Sequence, residues 1–293
     1  MRQRAKSALI MAPLLVIVLL GGYFLIAGVI VLTVLALREF MSAFGEKKPA
    51  GWVFWTSLAV LYGGFLFLAI RMSEFAVSNN ATVLNYDYFR LVLPIWVFVS
   101  VTLCLLSMFA MEKRDLIHGI ASFVGVFYII FFAFHLILVD FGPLAPVSIG
   151  AFQMSGLHTY VWIVFMSAFG TDIFAYLVGK AIGKRKLCPS ISPKKTVEGS
   201  IGGVLGSVIL CGLFSWFFLP SEFWTCIVIG VAGGIFSQFG DLAASVMKRK
   251  IGIKDWGTLI PGHGGVLDRI DSVLFVAPLV YYILMLRMFF FGM

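Results

Sequence analysis

Charged residues are scarce in this sequence of 293 residues. Asp, Glu, Lys and Arg make up 12% of it and hydrophobic residues 61%, whereas a soluble domain carries roughly 25% charged residues. A water-soluble core could not enclose so much apolar surface. The composition therefore excludes a soluble globular protein and indicates an integral membrane protein.

Several common site patterns are also missing. The four cysteines form no Cys-x-x-Cys pair and have no Cys/His metal spacing, so we interpret them as mostly small core residues. The sequence contains neither a Walker A motif nor a dinucleotide fingerprint, which argues against an appended soluble nucleotide-binding fold. It also shows no internal repeat, a feature that many transporters have.

Long apolar runs dominate the sequence instead, and a run of about 20 residues can cross a bilayer. Clear candidates are 51–70, 91–110, 116–139, 158–179, 200–219, 222–244 and 266–290. A further apolar block at 8–37 is too long for one ordinary span and short for two, and Gly21-Gly22 near its middle suggests two short helices or a tight hairpin. We therefore predict an all-α, polytopic integral membrane protein with about nine transmembrane helices.

The polar segments divide this predicted bundle into two parts. Residues 1–157, with about five spans, are predicted to form a scaffold, and residues 158–293, with about four, a catalytic transmembrane domain. The second part carries two basic loops, 180–199 and 245–265. Chemistry is therefore expected in the C-terminal helices.

The net charge of +8 would suggest nucleic acid as a partner of a soluble protein. Here the bases lie in short loops between apolar runs, so we expect membrane lipids and no nucleic acid. With the N-terminus inside, only Arg71, Arg90 and Arg287 fall on outside segments. This bias predicts a multi-pass protein of the cell (inner) membrane whose catalytic site, at one end of the C-terminal helices, faces the cytoplasm.

Charge is most concentrated in the segment from Ser245 to Asp271. Its acids are Asp255, Asp268 and Asp271, and its bases are Lys248, Arg249, Lys250, Lys254 and Arg269. So much charge between two membrane-length segments is unfavourable unless it binds something charged.

Carboxylates from two helices are predicted to converge beside this segment. Asp241, Ser245 and Lys248 share one helical face, and Asp268 and Asp271 share another, because residues three and four apart are neighbours on a helix. Mg²⁺ is typically held by one or two carboxylates, waters and substrate phosphates. The nearby bases would neutralise the remaining phosphate charge.

Three other positions have both a functional and a structural interpretation. Asp172 lies within an apolar span and is a functional candidate, or it only pairs with a neighbouring helix. Lys194 and Lys195 belong to a candidate phosphate-binding loop, or to a solvated inside loop. His263, between glycines, is a general base or phosphate donor, or a hydrogen-bonded loop histidine.

These residues carry a resemblance to the phosphatidate cytidylyltransferase (CDP-diacylglycerol synthase) family. The family signature is matched without a gap by Ser245, Lys248-Arg249, Lys254-Asp255, Gly257, Ile260-Pro261, His263-Gly264-Gly265, Asp268-Arg269 and Asp271. The resemblance also includes Asp172, the segment SPKKTVEG at 192–199 and FGD at 239–241. It covers the C-terminal part of the chain well, whereas the N-terminal part agrees only in being hydrophobic.

The resemblance implies that CTP and phosphatidate are converted to CDP-diacylglycerol and pyrophosphate. It implies Mg²⁺ as cofactor, together with a second metal ion of open identity. The metal ligands that it favours are Asp241 and Asp268, followed by Asp172 and Asp271. Catalytic roles are expected for Asp241, Asp268, Lys248 and His263, and substrate binding for Lys194, Lys195, Ser245, Arg249, Lys254 and Arg269.

Two other functions stay open at this point. A CTP-dependent polyprenol or phytol kinase would transfer the γ-phosphoryl group to a lipid alcohol, with His263 or Asp255 as the base. A transporter would use the intramembrane acids as an ion path, although the charge at one membrane face and the missing repeat argue against it. A homodimer is a candidate assembly.

Overall fold

Long helices form nearly all of the ordered secondary structure. The computed structural model describes residues 21–45, 48–70, 87–110, 116–140, 147–149, 152–154, 156–260 and 264–291. The helices in this part of the chain are α1 (Gly22–Ala43), α2 (Gly51–Leu58, continued by a π-helical segment at Ala59–Gly63), α3 (Asp87–Ala110), α4 (Leu116–Val124, π-helical Gly125–Phe131 and Phe132–Asp140), α5 (Gly156–Ile182), α6 (Val197–Phe218), α7 (Phe223–Lys250) and α8 (Leu267–Phe291). A 3₁₀ turn at Pro220–Glu222 leads into α7.

Two short antiparallel hairpins interrupt the helices, and the sequence did not predict them. Strand β1 (Val147–Ile149) pairs with β2 (Phe152–Met154), and β3 (Lys186–Cys188) pairs with β4 (Ser192–Thr196). The second hairpin lies in the basic loop 180–199. That loop is therefore an ordered element between α5 and α6.

Seven of the described helices are long and apolar enough to cross a membrane. They are Gly22–Ala43, Gly51–Ile70, His118–Asp140, Thr159–Ile182, Val197–Phe218, Pro220–Lys250 and Leu267–Phe291, and a shorter apolar helix covers Val92–Met108. The all-α, polytopic class is thus confirmed. The total of about nine spans stays a prediction, since residues 1–20, where one of them would begin, are outside the described residues.

The predicted interruption of the first apolar block coincides with the start of α1. Gly21 and Gly22 have φ angles of 57° and 51°, a conformation that glycine adopts without steric penalty. The Gly22 N–H donates to Asp140 Oδ2 at 2.9 Å, so a carboxylate of α4 binds one of the free amides at this helix end.

The chain divides into two compact units. One comprises residues 1–39 and 135–293, and the other residues 40–134. The sequence-based division at residue 157, which concerned chemistry rather than packing, stays a prediction.

The unit of residues 40–134 has an aromatic core. Trp96 is fully buried, donates from Nε1 to the Ser57 carbonyl at 2.9 Å and stacks on Phe131. The hydroxyls of Ser57 and Ser100 are hydrogen-bonded at 2.8 Å. These bonds satisfy polar groups that would otherwise be unfavourable in an apolar interior.

In the other unit, α5 packs along α6, and α7 contacts α5, α6 and α8. Glycines permit this close packing. A Cβ at Gly203 of α6 would lie 2.9 Å from the Thr171 carbonyl oxygen of α5, and one at Gly230 of α7 would lie 2.8 Å from the Val208 Cα. The four helices thereby bring their polar residues together at one end.

Candidate active site

A cavity of about 360 Å³ opens between α5, the β3–β4 hairpin, α6 and α7. Its lining contains both carboxylates and amines, together with neutral hydrogen-bonding groups. The charged lining residues are Asp172, Lys180, Lys194, Lys195 and Asp241, and the neutral polar ones are Tyr176, Thr196, Ser200 and Gln238. A cavity with both signs of charge can hold a polyanion together with a cation.

The start of α6 fixes the hairpin that carries the two lysines of β4. Glu198, in the first turn, accepts the N–H groups of Lys184 and Arg185 at 3.0 and 3.2 Å. Thr196 caps the helix by accepting the Gly199 N–H at 3.1 Å. These hydrogen bonds therefore hold β4, and with it Lys194 and Lys195, against the cavity.

Lys195 forms an ion pair with Asp241 of α7. Its Nζ lies 2.5 Å from Asp241 Oδ2, and the two side chains are 25% and 30% exposed. Partly exposed pairs of this kind are weak, because water competes for both partners. Neither Lys195 nor Asp241 is therefore tightly held by the other.

Asp172 and Asp271 meet through Ser272. The Ser272 N–H donates to Asp271 Oδ1 at 2.8 Å. The Ser272 hydroxyl lies 3.4 Å from Asp172 Oδ2 and 3.5 Å from Asp271 Oδ1, so its single proton serves one carboxylate at a time. Asp241 is close enough to act electrostatically on both acids. Carboxylates of α5, α7 and α8 thus share one region.

These acids fit Mg²⁺ bound together with a substrate. No group of three or more His, Cys, Asp or Glu side chains in the described ranges could hold a metal ion on its own. Mg²⁺ does not need one, because it keeps waters and substrate phosphates as ligands beside one or two carboxylates. Asp172 and Asp241 both line the cavity and supply the hard oxygen donors that this ion prefers.

Lys248, near the end of α7, and Asp268, in the first turn of α8, form a buried ion pair. Lys248 Nζ lies 2.6 Å from Asp268 Oδ1, and the side chains are 9% and 7% exposed. Asp268 Oδ2 also accepts the N–H groups of Trp256 and Gly265 at 2.8 and 3.0 Å. Asp268 Oδ2 thus holds the connecting segment between α7 and α8, while Oδ1 is paired with α7 itself. The role of Asp268 as a metal ligand stays a prediction, like the catalytic role of Lys248.

Four other predicted binding residues are not among those that line the cavity. Arg249 is exposed and donates from Nη1 to the Ile253 carbonyl at 2.9 Å. Lys254 is exposed, and Ser245 and Arg269 are half-buried. Within the described ranges, the cavity lining contains none of these four. His263 lies outside the described residues.

Sequence reasoning missed Gln238, which lies three residues before Asp241 and lines the same cavity. Its Nε2 donates to the carbonyls of Ser200 and Gly234 at 3.1 and 3.0 Å, which ties α7 to α6. The available signal was a polar residue on the Asp241 face of an otherwise apolar helix.

The chain is a polytopic membrane protein in which one cavity contains both carboxylates and lysines. A membrane protein of this class is suited to substrates that carry phosphate. Comparison with known proteins specifies the family. The model of the family described as "Cytidylyltransferase family" matches residues 2–287 of the chain. The chain is 31% identical to a phosphatidate cytidylyltransferase of Staphylococcus haemolyticus over 97% of its own length and 99% of that relative's.

Shorter alignments give higher identity. A phosphatidate cytidylyltransferase of Bacillus subtilis is 45% identical over 129 residues, and one of Synechocystis is 50% identical over 126 residues. These alignments span 48% and 42% of the two relatives, or roughly half their length. The chain belongs to the cytidylyltransferase family, which makes it a nucleotidyltransferase enzyme and confirms the resemblance found in the sequence.

Proposed function

We propose that this protein transfers the cytidylyl group of CTP to phosphatidate, giving CDP-diacylglycerol and pyrophosphate. The observation that supports this most is the cavity in which Asp172 and Asp241 face Lys194 and Lys195. The chain that forms it is similar over nearly its whole length to a phosphatidate cytidylyltransferase. Incubation with CTP, Mg²⁺ and phosphatidate, with both products measured, tests the proposal.

The reaction forms one P–O bond and breaks another. A phosphate oxygen of phosphatidate attacks the α-phosphorus of CTP, the bond from that phosphorus to the bridging oxygen breaks, and pyrophosphate leaves with the electron pair. The attacking oxygen is already anionic, so no strong base is needed. The difficulty is to bring two polyanions together and to stabilise the charge on the leaving group.

The lysines of the hairpin are suited to that task. Lys194 and Lys195 only donate hydrogen bonds, and the phosphates of CTP only accept them, so the two groups match in chemistry as well as in charge. Asp172 and Asp241 would hold Mg²⁺, which neutralises phosphate charge and polarises the α-phosphoryl group. The apolar helices would hold the acyl chains in the bilayer.

Turnover should require a divalent metal. Removal of metal with EDTA is expected to abolish formation of CDP-diacylglycerol, and added Mg²⁺ to restore it, because the cavity joins carboxylates to a polyanion site. Release of pyrophosphate measures the effect. Full turnover in metal-free buffer would contradict the metal assignment.

We also propose that the cavity faces the cytoplasm from the inner membrane, because the basic loop 180–199 forms one of its walls. Cysteines introduced at Ser192 and Thr258 should then resist an impermeant thiol reagent in intact cells and react after lysis. A Cys188→Ser background is needed, because Cys188 is partly exposed whereas the other three native cysteines are buried.

Ser78→Cys is the positive control for this labelling, because it lies between Arg71 and Arg90, in a segment that the sequence predicts to lie outside. It should react in intact cells and after lysis alike. Efficient labelling at position 192 or 258 in intact cells would overturn the orientation.

A further inference from the structure

A carboxylate of α1 binds the first turn of α8. Glu39 Oε1 accepts the Val266 N–H at 2.9 Å, and Glu39 Oε2 accepts the Leu267 N–H at 2.9 Å. The amides at the start of a helix have no acceptor within the helix, and they carry partial positive charge. One anionic side chain therefore satisfies two of them at once, from a position more than two hundred residues away in sequence.

Two glycines make room for this carboxylate. A Cβ added at Gly257 would lie 2.6 Å from Glu39 Oε1, and one added at Gly265 would overlap Oε2. Neither glycine has a positive φ angle, so backbone conformation alone does not require glycine at these positions. The connecting segment thus encloses the Glu39 carboxylate closely on two sides.

The same segment holds an acid from the family signature. The Gly265 N–H donates to Asp268 Oδ2, while the Cα of Gly265 lies against Glu39. Asp271 follows Asp268 by three residues, on the same face of α8. Glu39 therefore binds the residues directly before the first of these two acids.

We propose that Glu39 is a positioning residue for the reaction. It does not contact the substrate; it fixes residues 256–260 and 264–267, and through them the start of α8, so that Asp271 lies beside Asp172 and Asp241. Loss of this contact should lower kcat and leave the KM for CTP nearly unchanged, because the lysines of β4 are held separately by Glu198 and Thr196. The kinetic part of the inference rests on the proposed function.

The first experiment compares Glu39→Gln with Glu222→Gln in the full-length protein. Glu222 pairs with Arg287, which lies near the C-terminal end of α8, whereas Glu39 binds the N-terminal end. The control therefore removes the same charge from a partner of the opposite end of this helix. Hydrogen exchange in lipid nanodiscs should become at least about tenfold faster at residues 264–267 in Glu39→Gln, since an amide that loses a charged acceptor opens more often. In Glu222→Gln, exchange there should equal that of the wild type.

Kinetics on the same samples complete the test. Glu39→Gln should lower kcat by about tenfold or more, with the KM for CTP within about twofold of the wild type. Unchanged exchange would overturn the proposal, and so would faster exchange with an unchanged kcat. A wild-type protein that forms no CDP-diacylglycerol would refute the proposed function, and the exchange data would then decide alone whether Glu39 holds the segment.

A pair of variants tests direct contact. Gly265→Ala should lower kcat by about tenfold, because the new methyl group meets Glu39. Combination with Glu39→Asp, whose carboxylate is one methylene shorter, should recover part of that loss, since contacting residues are not additive. If the losses in kcat of the two single variants simply added in the double variant, a direct contact between Glu39 and residue 265 would be refuted. Recovery also excludes misfolding as the cause, because a second destabilising change would not restore activity.

Discussion

Asp241→Asn is expected to lower the rate of CDP-diacylglycerol formation at least about a hundredfold, because a group that holds the catalytic metal supplies several kcal/mol of charge stabilisation. Asparagine keeps the volume of aspartate and removes its negative charge. The side chain is 30% exposed and faces the cavity, so the change should leave folding intact. Initial rates at saturating CTP and Mg²⁺, with a thermal melt of the same sample, measure both effects.

Glu222→Gln is the matched control for this variant. It also removes one carboxylate charge and one ion pair, at the start of α7 instead of beside the cavity. Its rate should stay close to that of the wild type. Near-normal activity of Asp241→Asn, or an equal loss in both variants, would contradict the placement of the site.

Asp268→Asn should have a comparable effect on rate but a different effect on stability. Asp268 and Lys248 are a buried pair, and removal of one partner of such a pair typically costs about 3–5 kcal/mol, because the other charge stays buried without compensation. The melting temperature should therefore fall clearly in this variant, whereas Asp241→Asn should melt like the wild type.

The double variant Lys248→Met/Asp268→Asn separates stability from activity. With both charges removed, most of the lost stability should return, since an apolar side chain tolerates burial. Activity should not return, because the family signature loses two residues. A single Asp268→Asn variant that melts like the wild type would show that the pair does not hold the segment between α7 and α8.

The helices could be predicted from sequence because their signal is local. The span predicted at 51–70 matches a helix at Gly51–Ile70, and the span at 200–219 matches Val197–Phe218 nearly as well, since a run of apolar residues between polar ends has few alternatives in a bilayer. The β3–β4 hairpin could not be predicted in this way. It depends on Glu198 and Thr196, whose acceptor roles appear only when α6 is in place.

The sequence predicted the charged residues of the cavity separately, and only the structure shows that they line the same cavity. The sequence indicates Asp172 as a carboxylate within an apolar span and Asp241 as one on a helical face with Ser245 and Lys248. It indicates Lys194 and Lys195 separately, as members of a candidate phosphate-binding loop. Spacing placed Asp268 and Asp271 on one face of α8, but it could not show that Asp268 points into the connecting segment. Glu39 gave no signal at all, because its partners are backbone amides distant in sequence.

The destination of labelled phosphate from CTP distinguishes cytidylyl transfer from phosphoryl transfer. Purified protein in lipid nanodiscs receives phosphatidate, Mg²⁺ and CTP labelled at either the α- or the γ-phosphorus. We expect the α-label to enter the lipid as CDP-diacylglycerol and the γ-label to leave as pyrophosphate, in equal amounts. If instead the γ-label entered the lipid and CDP accumulated, the protein would be a lipid kinase, and the proposed cytidylyl transfer would be wrong.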